Sequence, residues 1–254
     1  MTNKIFDNKV AVVTGGRSGI GASMCERFLH QGARVISLDL YEKVDQGLNK
    51  QNAISQIPCD VSDETSILRA FTDIKNHFLR VDLLCINAGI VPSWARYSET
   101  TKKTWDDVMS INVIGAALTL KHAIDSLVKP GSSVLFTGSI NSFKGDGNIA
   151  PYVASKHAVL GMIKSAAIDL GKDGIRVNGI APGPIATEAL VERIKTRTGG
   201  DNQAFEIAIE GLKSLTALKR MATVTEVVNL AEFLLSDAAS GITGQLVTVD
   251  CGIL

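Results

Sequence analysis

The chain has 254 residues, with 26 Lys and Arg balanced by 26 Asp and Glu, and 45% hydrophobic residues. That length supports a sizeable buried core, and the composition excludes disordered, collagenous and disulfide-scaffold classes. The even charge offers no electrostatic footprint for nucleic acid or an anionic membrane, so neither is expected as a partner.

The elements follow in chain order. A first strand is predicted over 9–14 (KVAVVT), then glycines and a helix over 19–30. A second strand covers 33–38 and ends at Asp39; a weaker third covers 53–57. Residues 62–78 have helical spacing with Ser62 or Asp63 as N-cap. A fourth strand over 81–86 leads into Asn87, Ala88 and Gly89, and 101–128 reads as one long helical stretch. The fifth strand covers 132–137, and 151–171 is helical with Gly171 as its stop. A sixth strand (175–180), a helix (224–235) and a seventh strand (245–249) complete the pattern.

Strands alternating with helices of about 10–20 residues indicate βαβ units. Their near-continuous apolar runs indicate a parallel sheet covered on both faces. With no linker and no repeat, the expectation is one doubly wound α/β domain over 1–254, built on a seven-stranded parallel sheet. The least regular part, 182–220, holds Pro182, Pro184, Gly199, Gly200 and the charged stretch ERIKTRTGGDNQ. Residues 184–220 are read as a mobile lid, with a plain surface insertion as the bland alternative. The longest run without a charged side chain, 130–143, is broken by Gly and Ser; a bilayer span needs about 18–20 apolar residues, so none is expected. The opening MTNKIFDNK carries no apolar h-region. Cys25, Cys59, Cys85 and Cys251 form no CxxC pair and read as buried hydrophobes in a reducing, cytoplasmic setting.

Two ends of this sheet carry chemistry. Gly15, Arg17, Ser18, Gly19, Ile20 and Gly21 lie between the first strand and the first helix. Glycines there let backbone approach a pyrophosphate, and the helix N-terminus offers unpaired N–H groups. The spacing is G-x-x-x-G-x-G, so a merely structural turn is the alternative. Asp39 closes the second strand, where a carboxylate accepts from the ribose hydroxyls of adenosine and repels a 2′-phosphate. NAD is therefore expected over NADP, with Arg17 as the contrary feature. Asp60 and Val61 are placed to meet adenine, with a helix-capping role for Asp60 as the other reading. At the chemical end, Tyr152 and Lys156 share a helix face at i, i+4. Ser139 lies just past the fifth strand and Asn112 within 101–128. A free phenol has a pKa of about 10. An ammonium about 4 Å away, at an effective dielectric near 20, favours the phenolate by roughly 4 kcal/mol and brings the phenol toward neutrality. An exposed helix pair is the alternative.

The sequence resembles the short-chain dehydrogenase/reductase family in its short single-domain branch. The resemblance rests on TGGRSGIG (14–21), Asp39, Asn87-Ala88-Gly89, Asn112, Ser139, YVASK (152–156), Asn178, Pro182-Gly183 and ITGQLVTVDCG, and it covers the whole chain. It implies a Rossmann fold and a reaction between a secondary alcohol and a ketone. It implies Tyr152 as general acid/base, Ser139 on the substrate oxygen, Lys156 on the nicotinamide ribose, and Asn112 positioning a water. It implies that Pro182, Gly183, Ile185 and Thr187 meet the carboxamide end, and that the assembly is a homotetramer built through 101–128 and 151–171. Cys251-Gly252 stands where the family usually has Gly-Gly. Trp94, Asn141 and Asn148 are expected beside Ser139 and Tyr152 in a pocket for a small polar alcohol, polyol or sugar. An NADPH-linked 3-oxoacyl-carrier-protein-type reductase and a non-catalytic cofactor-sensing protein are the alternatives. His30, His77, His122 and His157 show no metal-ligand spacing, so no metal is expected. Lys102-Lys103 and 193–197 read as solvated charge clusters.

Overall fold

The computed structural model describes residues 4–42 and 53–253. Seven parallel strands form one sheet in the order β3-β2-β1-β4-β5-β6-β7. They are β1 (Val10–Thr14), β2 (Arg34–Asp39), β3 (Ile54–Pro58), β4 (Leu83–Ile86), β5 (Ser133–Thr137), β6 (Arg176–Pro182) and β7 (Leu246–Val249). This is the doubly wound Rossmann architecture expected from the alternation of strand and helix. Between β1 and β4 the strand order reverses, which opens a crevice at the carboxyl ends of the strands.

The two faces of each strand build two cores, because successive side chains point to opposite sides. Val12, Ile36, Leu84 and Phe136 face one way, onto Ile67, Phe71 and Ile74 of α2 (Glu64–Phe78) and Ile163 of α5 (Ala150–Gly171). Ala11, Val13, Leu83 and Leu135 face the other way, onto Met24 and Phe28 of α1 (Gly19–His30) and Val227 and Leu234 of α8 (Val224–Leu235). Each such side chain taken fully from water contributes about 1.5–3 kcal/mol. Among the described residues no helix is long and apolar enough to cross a membrane.

One open choice is resolved and two local expectations are corrected. Asp63, not Ser62, caps α2, accepting from the Thr65 N–H. Residues 101–128 are not one α-helix. They split into α3 (Lys102–Met109), a π-helical turn (Ser110–Gly115), α4 (Ala116–Ala123) and a 3₁₀ turn (Ile124–Ser126). A Cβ at Gly115 would lie 2.5 Å from the Val61 carbonyl oxygen, so the glycine lets this turn pack against the segment after β3. Residues 182–220 are not irregular: α6 (Glu188–Arg197) and α7 (Asn202–Ser214) fill most of the segment, capped by Thr187 and Asp201. Gly199 and Gly200 take positive φ between the two helices and make the turn, so they punctuate rather than break.

Candidate active site

At the β1 end, Gly15 turns the chain with φ of 67° and lies against Ala88, so close that a Cβ would meet its Cα at 2.9 Å. A Cβ on Gly21 would collide with the Gly15 carbonyl oxygen. Gly19, at φ of 54°, has open space where its Cβ would stand. Ser18 at the N-cap of α1 makes no side-chain capping bond, so the first-turn N–H groups of the helix are uncapped. Tight backbone below, open space above and uncapped amides fit a pyrophosphate.

Asp39 lies at the end of β2, accepting from the Arg17 N–H at 2.9 Å and the Leu40 N–H at 2.7 Å. The Arg17 guanidinium, exposed, donates to the Leu40 carbonyl at 3.3 Å. Asp60 accepts from the Ser62 N–H at 2.8 Å and hydroxyl at 2.6 Å, in the turn that leads into α2, and Val61 is buried. Asn87 ties three strand ends together. Its amide donates to the Thr14 and Gly15 carbonyls and accepts from the Thr137 hydroxyl at 3.0 Å. On the far side, Gly183 donates to the Val249 carbonyl, Ile185 is buried, and Thr187 caps α6.

The chemical end gathers past β5. Ser139 is buried and accepts from the Asn141 N–H at 3.2 Å, capping the 3₁₀ turn Ile140–Ser142. Asn141 reaches Asp146 at 3.4 Å. Lys156 is 5% exposed; its Nζ donates to the Thr137 carbonyl at 2.7 Å and lies 5.5 Å from the centre of the Tyr152 ring. Asn112 sits in the π-helical turn, a geometry frequent at functional sites. Its side chain bonds both the N–H and the carbonyl of Ile90 and the Ser155 hydroxyl. A Cβ on Gly89 would come within 3.2 Å of the Asn112 Oδ1 and 3.8 Å of the Lys156 Nζ. Asn148, at φ of 67°, lines a cleft of about 260 Å³ with Ile90, Pro92, Ser93 and Pro151.

A model of the family described as "Enoyl-(Acyl carrier protein) reductase" matches residues 15–254. "Short-chain dehydrogenase reductase 4" of Arabidopsis thaliana is 34% identical over 254 residues, covering 98% of this chain and 83% of the relative. The chain belongs to the short-chain dehydrogenase/reductase family. It is thus an oxidoreductase of that family, and fold and family imply a nicotinamide cofactor. "Momilactone A synthase" of rice (Oryza sativa subsp. japonica) is 34% identical over 253 residues, covering 96% of this chain and 89% of the relative. Among solved structures, aldohexose dehydrogenase of Thermoplasma acidophilum superposes with a TM-score of 0.89 at 29% identity, covering 98% of this chain and 95% of the other. Levodione reductase does so with a TM-score of 0.87 at 28% identity, covering 97% of each.

The electrostatics of this dehydrogenase/reductase site differ from the spacing argument. Burial raises the Tyr152 phenol above its ordinary value, while a hydrogen bond from Ser139 and the charge of Arg193 work the other way. Lys156 lies 5.5 Å from the centre of the Tyr152 ring. Its ammonium is turned to the Thr137 carbonyl, and burial lowers it to about 8. A buried ammonium takes the strongest acceptor in reach, which here is a backbone carbonyl at the end of β5.

Within 193–197, Lys195 and Arg197 are exposed as expected, while Arg193 is partly buried. The Arg197 guanidinium stacks 3.8 Å from the centre of the Trp94 ring and Arg193 lies at 5.6 Å. Trp94 therefore supports α6 rather than presenting a bare apolar wall. The i, i+4 spacing of the two arginines was the available signal, and a charged segment with four Pro and Gly residues around it obscured it.

Proposed function

We propose that this reductase interconverts a secondary alcohol and a ketone with NAD(H), Tyr152 serving as the general acid/base. The observation that carries the reading is the gathering past β5 of a buried Ser139 hydroxyl and a buried Lys156 ammonium 5.5 Å from the centre of the Tyr152 ring. When bound, the nicotinamide ring takes or gives the hydride. In the oxidative direction the Tyr152 Oη accepts the alcohol proton, and in reduction it returns one to the carbonyl oxygen. Ser139 Oγ holds that oxygen. Lys156 holds the ribose and the Thr137 carbonyl together. Asn112 fixes the loop at Ile90 and positions a water behind Lys156. The turn from Gly15 to Gly21 holds the pyrophosphate, and Asn87, Ala88 and Gly89 line the dinucleotide. Asp60 and Val61 border the adenine, and Pro182, Gly183, Ile185 and Thr187 meet the carboxamide.

Asp39 supports NAD, since a carboxylate at the end of β2 accepts from ribose hydroxyls and repels a 2′-phosphate. Arg17 beside it is the observation that favours the second reading, an NADPH-linked reductase of acyl-carrier thioesters. Chain 1–254 acts as one domain, with α6 and α7 as a movable lid over a small-molecule substrate held beside Asn141 and Asn148. Ile114 (54% exposed) and Ile168 (79% exposed) sit on the two helical stretches expected to join copies, and they support a homotetramer. Four free cysteines support a cytoplasmic setting.

The test is a panel of secondary alcohols and ketones assayed at 340 nm with both cofactors. Turnover with NAD at a kcat/KM at least about tenfold above NADP is expected. A preference for NADP, or no turnover of any member, defeats the reading.

A further inference from the structure

The lid helix supplies a substrate-recognition feature that the reaction type does not require. Arg193 is partly buried, its guanidinium 5.6 Å from the centre of the Trp94 ring, and the charges of Tyr152 and Asp146 act on it. Among the described residues neither Arg193 nor Arg197 has a hydrogen bond or ion pair. Arg176 provides the comparison: also partly buried, it donates to the carbonyls of Leu234, Leu235, Ser236 and Ile242. A guanidinium partly withdrawn from water needs such acceptors for its five donors, and Arg193 has none among the described residues.

The arrangement of the helix makes the vacancy more specific. Arg193 and Arg197 lie one turn apart on α6, a spacing at which like charges repel. Arg197 is held by stacking on Trp94. Arg193 stands farther from that ring, at 5.6 Å, and its charge favours the ionised Tyr152 phenol. Asp146 offsets one of the two positive charges and is itself tied to Asn141. The planar fork of the Arg193 guanidinium matches a carboxylate or phosphate.

Resting on the alcohol–ketone reading, we propose that the substrate carries an anionic group, a carboxylate or a phosphate ester, which Arg193 receives while Arg197 and Trp94 hold the lid helix over it. The polyol expectation is thereby narrowed to hydroxy acids, sugar acids or their phosphorylated counterparts.

Matched pairs test this: hydroxy carboxylates of three to six carbons against their methyl esters, and glycerol phosphates against glycerol, each with NAD. The anionic members should show a kcat/KM at least about tenfold above their neutral partners, carried by KM. Which series leads separates carboxylate from phosphate. In Arg193→Gln the ratio should collapse toward one, and Arg193→Lys should restore part of it. Equal or better turnover of the neutral members, or a ratio that survives in Arg193→Gln, overturns the proposal. If no member turns over, the redox reading has failed. The anion site is then judged on the enzyme–NADH complex by thermal shift with the same carboxylates and with inorganic phosphate. A rise in Tm present in the wild type and absent in Arg193→Gln supports the site, and equal shifts refute it.

Discussion

Replacing Lys156 by Met separates what this residue costs the fold from what it gives the site. Its ammonium is 5% exposed, with one hydrogen bond, to the Thr137 carbonyl. Burial lowers it from 10.5 to about 8. That difference corresponds to about 3 kcal/mol, at about 1.4 kcal/mol per unit. The sign follows from proton counting. Between pH 8 and 10.5 the unfolded chain holds more protons at this group than the folded one. Stability therefore rises with pH across that window, and the cost is fully present below pH 8. Met has similar length and no charge. It removes the cost but leaves the Thr137 carbonyl without its donor, worth about 1–2 kcal/mol. Lys156→Met should thus be about 1–2 kcal/mol more stable than wild type at neutral pH, or roughly 2–8 °C in Tm. At pH 10.5 the advantage should vanish or reverse. Urea denaturation of the cofactor-free protein at both pH values measures this. A variant less stable than wild type by the same margin at both would refute the burial argument.

Other outcomes follow from single positions. Gly21→Ala puts a methyl against the Gly15 carbonyl and should weaken NADH binding at least about tenfold and lower Tm, checked by fluorescence titration and thermal melting. Asp39→Ala removes the carboxylate proposed to meet the ribose and should cut the NAD-to-NADP ratio of kcat/KM by about 10–100-fold; an unchanged ratio would assign cofactor choice elsewhere. Cys251 holds φ of 56°, a conformation natural to glycine. Cys251→Gly should therefore leave stability unchanged or raise it by up to about 1 kcal/mol in denaturant melts, because relief of strain exceeds the added freedom of the unfolded chain.

Much of the architecture was legible in the sequence because buried parallel strands are apolar on both faces. Each of the seven predicted runs overlaps an observed strand, with differences of a residue or two at the ends. The glycine turn, Asp39, Ser139 and the Tyr152–Lys156 pair stand out as candidates because special backbone and reactive groups occur at fixed offsets from those strands. The π-helical turn at 110–115 was not, since its cause is the approach of Val61 to Gly115 across the fold, and apolar spacing does not encode that contact. The two helices of 182–220 were obscured because Gly199 and Gly200 look like breakers until they are seen to join helices. The direction of the Lys156 ammonium was invisible because i, i+4 spacing says which face two groups share and not which acceptor wins.

The central claim is that the Tyr152 hydroxyl moves the proton at the substrate oxygen. Tyr152→Phe tests it most directly, with NADH affinity and turnover measured side by side. The account predicts a Kd for NADH within about threefold of wild type and a kcat reduced by at least about 100-fold. Turnover at the wild-type rate with NADH binding intact would contradict it.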